Sequence, residues 1–462
     1  MNSSENHQSE RKLAKTLVIT FCLLSLFLLY LILNQNFIFG SAPGGWVYPY
    51  FSSTNPVATW IAIAVLLLCG VLIFGGSWAI RKHEKTTLAA CFVIAVCVQV
   101  LLQSVYRYPM SEIIISDMAN SFFSAAGKLT PGELLSSFTN LASILPLHAR
   151  SNMPGKILLF QLLRLLTSDA QVLGYIIVAV STTGGLFLYG IVKRFFNDQT
   201  AALYAFILYI LLPCKQDFFP ILNTVTPVFI LLALYLFILY LDSDKSFFLL
   251  LLGVWMYLLV IFEPSPLVTG IIFLGILVKK TAENKLRALD FLKIVLIPAA
   301  GFGFVYVIFY AVFSFDLISA FRYVLNDAQQ FNTVADRGYA IWFFENGKSF
   351  FVDVGIPVMM IFLFSSVALL IDGQNKGKKI IHWSDESLYM LSLGLTYLIL
   401  IFMGINRGET TRLWIYLAVF FQVPAALFMA RKVQSHPAFF LLAATLVIQT
   451  LTTLPRVSFI IP

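Results

Sequence analysis

Long apolar runs recur along the whole chain, and polar residues are concentrated in the segments between them. About thirteen of these runs predict membrane-spanning helices. The predicted spans cover residues 16–34, 57–79, 87–106, 171–192, 200–213, 224–241, 247–262, 266–278, 293–313, 354–371, 387–404, 413–430 and 438–453. The pattern therefore predicts an all-α polytopic membrane protein, organised as a single membrane domain over residues 1–462.

One further apolar run, KILLFQLLRLL at residues 156–166, is too short for a span. At about 1.5 Å per residue it cannot cross a hydrocarbon core of about 30 Å. We expect an interfacial or re-entrant helix there, with Lys156 and Arg164 facing lipid headgroups. Two long loops, 107–155 and 314–353, are predicted on the same side of the membrane as this helix, and both are expected to contain interfacial helices.

Composition and charge support this class and suggest an orientation. The chain has 462 residues, of which 59% are hydrophobic and only 12% charged, and this excludes a soluble enzyme, a disordered protein and a nucleic-acid binder. With the N-terminus inside, the net charge of +8 falls on the inner segments, as the positive-inside rule expects. Both long loops and the C-terminus are then outside. The five cysteines indicate neither a disulfide framework nor a zinc site.

The first outer loop contains the main candidate for acid–base chemistry. Asp117 follows a span and precedes an amphipathic stretch, Met118 to Leu129. A carboxylate at the water–lipid boundary could act as a general base for an acceptor hydroxyl or amine. The alternative, favoured by residue type alone, is a solvated aspartate that caps the following helix. Glu112 is a weaker candidate in the same loop.

Three basic or titratable residues follow within nine positions: His148, Arg150 and Lys156. Pro154 and Gly155 start the short helix, whose positive end would favour a phosphate together with Lys156. Ordinary contact between cations and headgroups explains the cluster equally well. A catalytic role for His148 is the less favoured interpretation.

The second outer loop and the segment GINRGETTRLWIYLAVF supply further cations. Arg337 lies among aromatic residues that either cover a lipid-linked substrate or form an interfacial belt. Arg412 starts a membrane helix, where it can clamp a phosphate or pair with Glu409 three positions earlier. Glu263, in the sequence FEPSP, is interpreted as a loop acid in preference to a cavity residue.

Four segments together resemble the GT-C superfamily of integral membrane glycosyltransferases, in its protein mannosyltransferase and lipid A aminoarabinose transferase branch. They are SDMANSFFSAAGKL, NMPGKILLF, GLFLYGIVKRFFNDQTAALYAFILYILLP and GETTRLWIYL, within residues 107–215 and 404–420. Asp117 matches the family's acidic position, and Met118 stands where the family has a second acid. The family's His-Pro-Pro step is Asn152-Met153-Pro154 here.

The resemblance implies transfer of a sugar from a polyprenyl-phosphate donor, with inversion, on the outer face. The sequence leaves the bacterial plasma membrane and the endoplasmic reticulum open, and the short loops and lack of eukaryotic sorting signals favour the bacterial plasma membrane. Asp117 would deprotonate the acceptor, a glycan, lipid or protein. Lys156 and Arg412, with Arg150 and Arg337, would hold the phosphate, and Glu409, His148 and Glu112 are further candidates for substrate contact. No cofactor is obligatory, and a divalent metal is left open.

Two other functions remain open from the residues: a flippase or transporter of lipid-linked sugars, and a polymerase or ligase of surface polysaccharide. A coupled transporter usually keeps ionisable residues in the middle of the membrane. The predicted spans are nearly free of them, which favours an enzyme acting at the boundary.

Overall fold

The computed structural model describes residues 3–51, 58–283, 286, 288–375 and 383–462. The first residue of the predicted span 57–79 lies outside these ranges, as do five cations of the predicted inner side, Lys285, Arg287, Lys376, Lys378 and Lys379. Within them, nearly every element is a helix. The one sheet in the described chain is a short antiparallel ribbon that pairs Gly40–Ser41 with Trp46–Val47.

Ten helical segments in the described part of the chain are long and apolar enough to cross a membrane. Each coincides with one of the predicted spans, because long apolar runs are the strongest pattern in a sequence. They are Gln8–Leu33, Ala58–Ala79, Glu84–Gln103, Ala170–Phe195, Leu222–Ser243, Ser265–Ala282, Leu289–Phe313, Asp385–Met403, Ile415–Val433 and His436–Thr453. The all-α, multi-pass membrane architecture is confirmed.

The count of thirteen spans is not confirmed, and the differences lie in three predicted spans. The run at 200–213 forms the helix Gln199–Ile210, only 12 residues long. The run at 247–262 forms Ser246–Phe262, of 17 residues. The run at 354–371 corresponds to Ile356–Leu369, which forms a pair with Tyr339–Asp353 that is bent by 107°. The predicted orientation stays a prediction.

Both long loops are largely helical. Residues 107–155 contain five short helices, Met110–Ile115, Asp117–Lys128, Pro131–Ser136, Phe138–Ala142 and Leu147–Arg150. The short run at 156–166 is the helix Gly155–Arg164, which confirms that a helix too short to span begins there. The loop at 314–353 contains Leu317–Val334 and Tyr339–Asp353. The second of these belongs to the bent pair, so the predicted loop extends into a broken or re-entrant helix.

The protein core lies along the central helices. Every residue from 201 to 210 is buried, and 83% of the most apolar window of Ile415–Val433 is buried inside the protein. By contrast, only 6% of the most apolar window of Leu289–Phe313 is buried. This helix therefore lies at the periphery, with its apolar side chains facing outwards. The short helices of both long loops pack over one end of this core and enclose a cavity.

Candidate functional site

A cavity of about 630 Å³ lies between the two long loops and the segment 400–413. Its walls are mostly apolar, and its polar and charged side chains belong to a few positions. These are His148, Ser151, Asn152, Glu263, Ser265, Asn332, Arg337, Asn406, Arg407, Glu409 and Arg412. A mainly apolar pocket with a few convergent polar groups is the usual form of a small-molecule site.

The loop 404–409 holds several of these side chains in place through backbone contacts. Arg337 donates to the carbonyl of Arg407, and Arg407 donates in turn to the carbonyl of Arg337 at 2.7 Å. Gly408 has a φ of +78°, a conformation that favours glycine, and a Cβ there would also collide with the ring of Trp342. The Gly-Glu sequence thus allows the turn that directs the chain into the helix Thr410–Leu413.

Glu409 connects two arginines at the charged end of the cavity. One of its carboxylate oxygens lies 2.7 Å from Nη2 of Arg412, and the other lies 3.7 Å from Nη1 of Arg337. Burial acts to raise the pKa of Glu409, but the charges of Arg412 and Arg337 outweigh it and hold that pKa below its usual value. Glu409 is therefore a carboxylate at neutral pH, and it pairs with Arg412, which is one of the two alternatives that the sequence left open for that arginine.

His148 connects this charged end to the first outer loop. Its Nε2 lies 2.8 Å from the carbonyl oxygen of Met118, which can only accept, so Nε2 donates. Nη1 of Arg412 lies 3.4 Å from Nδ1 and 3.5 Å from Nε2 of the same ring, and Nδ1 is the nitrogen left to accept. Burial, with the neighbouring charge of Arg412, lowers the pKa of His148 to about 4. The ring is therefore neutral at pH 7, with a free acceptor nitrogen beside the arginine.

We expect the stability of the protein to fall as the pH drops from about 6.5 towards about 4. Between these values the unfolded His148 binds a proton that the folded ring does not, so acidification favours the unfolded state. Thermal unfolding of the purified protein at a series of pH values measures this effect. His148→Gln keeps a donor for the Met118 carbonyl and is the matched control. An equal acid sensitivity in this variant would contradict the assignment.

Lys156 and Glu263 form a buried ion pair beside the cavity. Their Nζ and Oε2 atoms lie 3.0 Å apart, and the side chains are 1% and 6% exposed. Glu263 also accepts from Thr226 at 2.7 Å, and Lys156 donates to Asn152 at 2.9 Å. Burial lowers the pKa of Lys156, and the charge of Glu263 opposes this effect. Glu263 and Asn152 line the cavity, whereas Lys156 lies behind them. The prediction that Lys156 faces lipid headgroups is therefore wrong, because a buried acid from another segment holds its ammonium inside the protein.

The remaining predicted residues lie outside the cavity lining. Asp117 is exposed and accepts a hydrogen bond from Ser124. The cap of its helix is Ser116, whose hydroxyl accepts from the amide of Ala119 at 3.1 Å, so Asp117 is not the capping residue. Glu112 is also exposed. Arg150 lies 3.4 Å from Asp327, at the side of the second loop.

The structure thus brings together four of the eight predicted site residues, His148, Arg337, Glu409 and Arg412, in one cavity. Asp117 is connected to them through its neighbour Met118, whose carbonyl binds His148.

Two charged cavity residues, Glu263 and Arg407, were not among the eight predicted site residues. For Glu263 the available signal was its position between an apolar helix and two prolines, and for Arg407 it was its position two residues before Glu409.

The charges of the lining favour an anionic ligand. Three arginines, Arg337, Arg407 and Arg412, face the cavity with two acids, Glu409 and Glu263. Glu263 is already neutralised by Lys156. One acid therefore remains for three guanidinium groups, which are well suited to phosphate because of their planar arrangement of donors.

Comparison with known proteins adds no identification. The chain matches no protein-family model, no curated protein and no solved structure. Within the described residues, no group of three or more histidine, cysteine, aspartate and glutamate side chains is arranged to hold a metal ion.

Proposed function

We propose that this chain is a membrane glycosyltransferase that moves a sugar from a polyprenyl-phosphate donor to an acceptor on the outer face. The observation that carries the proposal is the cavity, which combines a long apolar lining with an excess of arginine at one end. A lipid phosphate has the same two parts, an apolar chain and an anionic headgroup. The sugar itself rests on the sequence resemblance.

The apolar part of the cavity is suited to an isoprenoid chain that enters from the bilayer. Its walls include Leu267, Leu325 and Met403, which are 41%, 37% and 52% exposed on the outside of the protein. These residues belong to three different segments, 265–269, 317–334 and 385–403. A chain entering between these segments would remain in an apolar environment along its path, so no large desolvation cost would oppose its entry.

The charged part supports departure of the phosphate. Arg412 and Arg337 would stabilise the negative charge that develops on the leaving phosphate, and charge stabilisation of this kind is a major part of catalysis. Glu409 holds both guanidinium groups in position before the ligand arrives. In this proposal Asp117 receives the proton of the acceptor, which would approach from the exposed side of the first loop.

A second candidate, a transporter of lipid-linked sugars, is favoured by one observation. Among the described residues, the ionisable side chains of Lys215, Asp217 and Asp353 are buried in the interior, where they are 0%, 3% and 2% exposed. Buried ionisable groups in a membrane protein are costly and often functional. A transport assay in vesicles, with lipid-linked sugar on one side only, separates movement across the bilayer from transfer to an acceptor.

We expect Arg412→Ala to weaken use of the lipid-phosphate donor by about 10- to 100-fold, because one charge-assisted contact to phosphate is lost. The measurement is the rate of transfer by purified protein in vesicles over a series of polyprenyl-phosphate sugar concentrations, and the effect should appear in the KM for the donor. The KM for the acceptor should change little.

Two controls accompany this experiment. Arg322→Ala removes an exposed cation of the second outer loop that lies outside the cavity lining, and it should leave donor use unchanged. Arg412→Lys keeps the charge but loses the planar fork, so it should recover donor use only in part. In the contrary outcome, the wild-type protein would transfer no sugar from any polyprenyl-phosphate donor that is tried and yet move the lipid-linked sugar across the vesicle membrane. That pair of results would contradict the glycosyltransferase and favour the transporter.

A further inference from the structure

Two buried carboxylates lie deeper in the protein, beneath the charged end of the cavity. Asp217 and Asp353 are 3% and 2% exposed, and their charges act on each other. Each has a hydroxyl as its neighbour: Thr453 donates to Asp217 at 3.3 Å, and Thr411 hydrogen-bonds to Asp353. No lysine or arginine of the described chain forms an ion pair with either carboxylate. A buried carboxylate with neutral partners only is costly.

Two of the residues that neighbour Asp217 and Thr453 along the chain also have oxygen atoms without partners. Among the described residues, Oδ2 of Asp353, Oε1 of Gln216 and Oγ1 of Thr450 are buried without a hydrogen-bond partner. Gln216 directly precedes Asp217, and Thr450 lies one helical turn before Thr453, on the same helix face. The unpartnered atoms are all oxygens. Oδ2 of Asp353 and Oε1 of Gln216 can only accept, so they require a cation or a hydrogen-bond donor, and the hydroxyl oxygen of Thr450 can also coordinate a cation.

The backbone adds negative potential at the same place. Asp353 ends the helix Tyr339–Asp353, and the chain then turns by 107° through Gly355, whose φ is +100°. The C-terminal end of a helix carries a partial negative charge, which disfavours a carboxylate and favours a cation. Gln449 and Gln422 donate to the carbonyls of Val352 and Val354, so the turn is held firmly by side chains.

The balance of charge favours a monovalent ion over a divalent one. Lys215, two residues before Asp217, is also buried and donates to Gln99 at 2.7 Å, with its ammonium 3.9 Å from the ring centroid of Tyr209. When all three groups are ionised, two carboxylates and one ammonium leave one negative charge in this interior. A single monovalent cation would neutralise it, whereas a divalent ion would leave an excess of one positive charge.

We propose that Asp217 and Asp353, with the free oxygens of Gln216 and Thr450, form an internal binding site for a sodium-sized monovalent cation. Oxygen ligands, both charged and neutral, suit such a hard cation. The site joins the helices Pro213–Asp217, Tyr339–Asp353 and His436–Thr453, so the ion would fasten the bend in the chain to the core. The proposal does not depend on the proposed sugar transfer.

Thermal unfolding of the full chain in detergent tests the site directly. We expect sodium chloride to raise the Tm by about 3 °C or more over choline chloride at equal concentration, because the ion binds only the folded state. Asp353→Asn should abolish this difference, and Asp336→Asn, at an exposed position, should preserve it. Thr450→Val removes one neutral ligand and should reduce the difference without removing a charge.

Three results would overturn the proposal. The first is an equal Tm of the wild-type protein in sodium and choline, which requires no variant to fold. The second is a Tm that is independent of sodium but rises on acidification, since the acid pair would then hold a proton. The third is a larger shift with calcium or magnesium than with sodium. Sugar transfer is measured separately, so failure of this site leaves the proposed function standing.

Discussion

Asp117→Asn is expected to lower sugar transfer by about 100-fold or more, while the protein still inserts and folds. A positioned general base contributes roughly 10²- to 10⁴-fold to a reaction, and asparagine cannot accept the proton. Folding should be preserved because Asp117 is exposed and the cap of its helix is Ser116. The rate of transfer under saturating donor, compared at equal amounts of folded protein, measures the effect.

Ser124→Ala is the control that separates chemistry from structure. It removes the hydrogen bond to Asp117 and keeps the carboxylate. If Asp117 serves only to fix its helix, the two variants should behave alike, with near-normal transfer in both. If Asp117 is the base, transfer should be largely retained in Ser124→Ala and lost in Asp117→Asn. If His148→Gln loses transfer and Asp117→Asn keeps it, the base is instead the neutral imidazole of His148 inside the cavity.

The sequence predicted a membrane span correctly where the length and apolar character of one helix are enough to define it. A long apolar run predicts a span whatever its neighbours are, and ten of the predicted runs are such helices. The run at 200–213 is shorter than predicted because its helix ends at Ile210, before Pro213, and proline disfavours a helical residue before it. The helix in the run at 354–371 begins directly after a turn at Gly355. The positive φ of Gly355 separates this helix from the preceding one, Tyr339–Asp353.

Contacts in the site between residues close in sequence were predictable, and contacts between residues far apart in sequence were not. Glu409 and Arg412 are three positions apart, and helical geometry alone indicates their pairing. His148 and Arg412 are separated by 264 positions, and their contact depends on how the first loop packs over the last helices. The same is true of Lys156 and Glu263, because a lysine at a helix start faces lipid headgroups or a buried acid with equal ease.

Glu263→Ala is expected to destabilise the protein by about 3–5 kcal/mol, because it leaves the ammonium of Lys156 buried without an anion. Asn152 would remain as its neutral partner and cannot replace the lost charge. Chemical unfolding in detergent, followed by tryptophan fluorescence, measures the change. A loss within the range of ordinary surface substitutions, about 0.5 kcal/mol, would contradict the buried ion pair.

The double variant Lys156→Met with Glu263→Met decides whether this pair also takes part in catalysis. Replacing both charges by apolar groups removes the unpaired ammonium, so most of the lost stability should return. If the pair only holds the helix Gly155–Arg164 against the core, sugar transfer should return with the stability. If Lys156 contacts the lipid phosphate, as the sequence resemblance implies, the double variant should be stable and still fail to use the donor. The comparison of stability with donor KM in one protein therefore separates the two roles of Lys156.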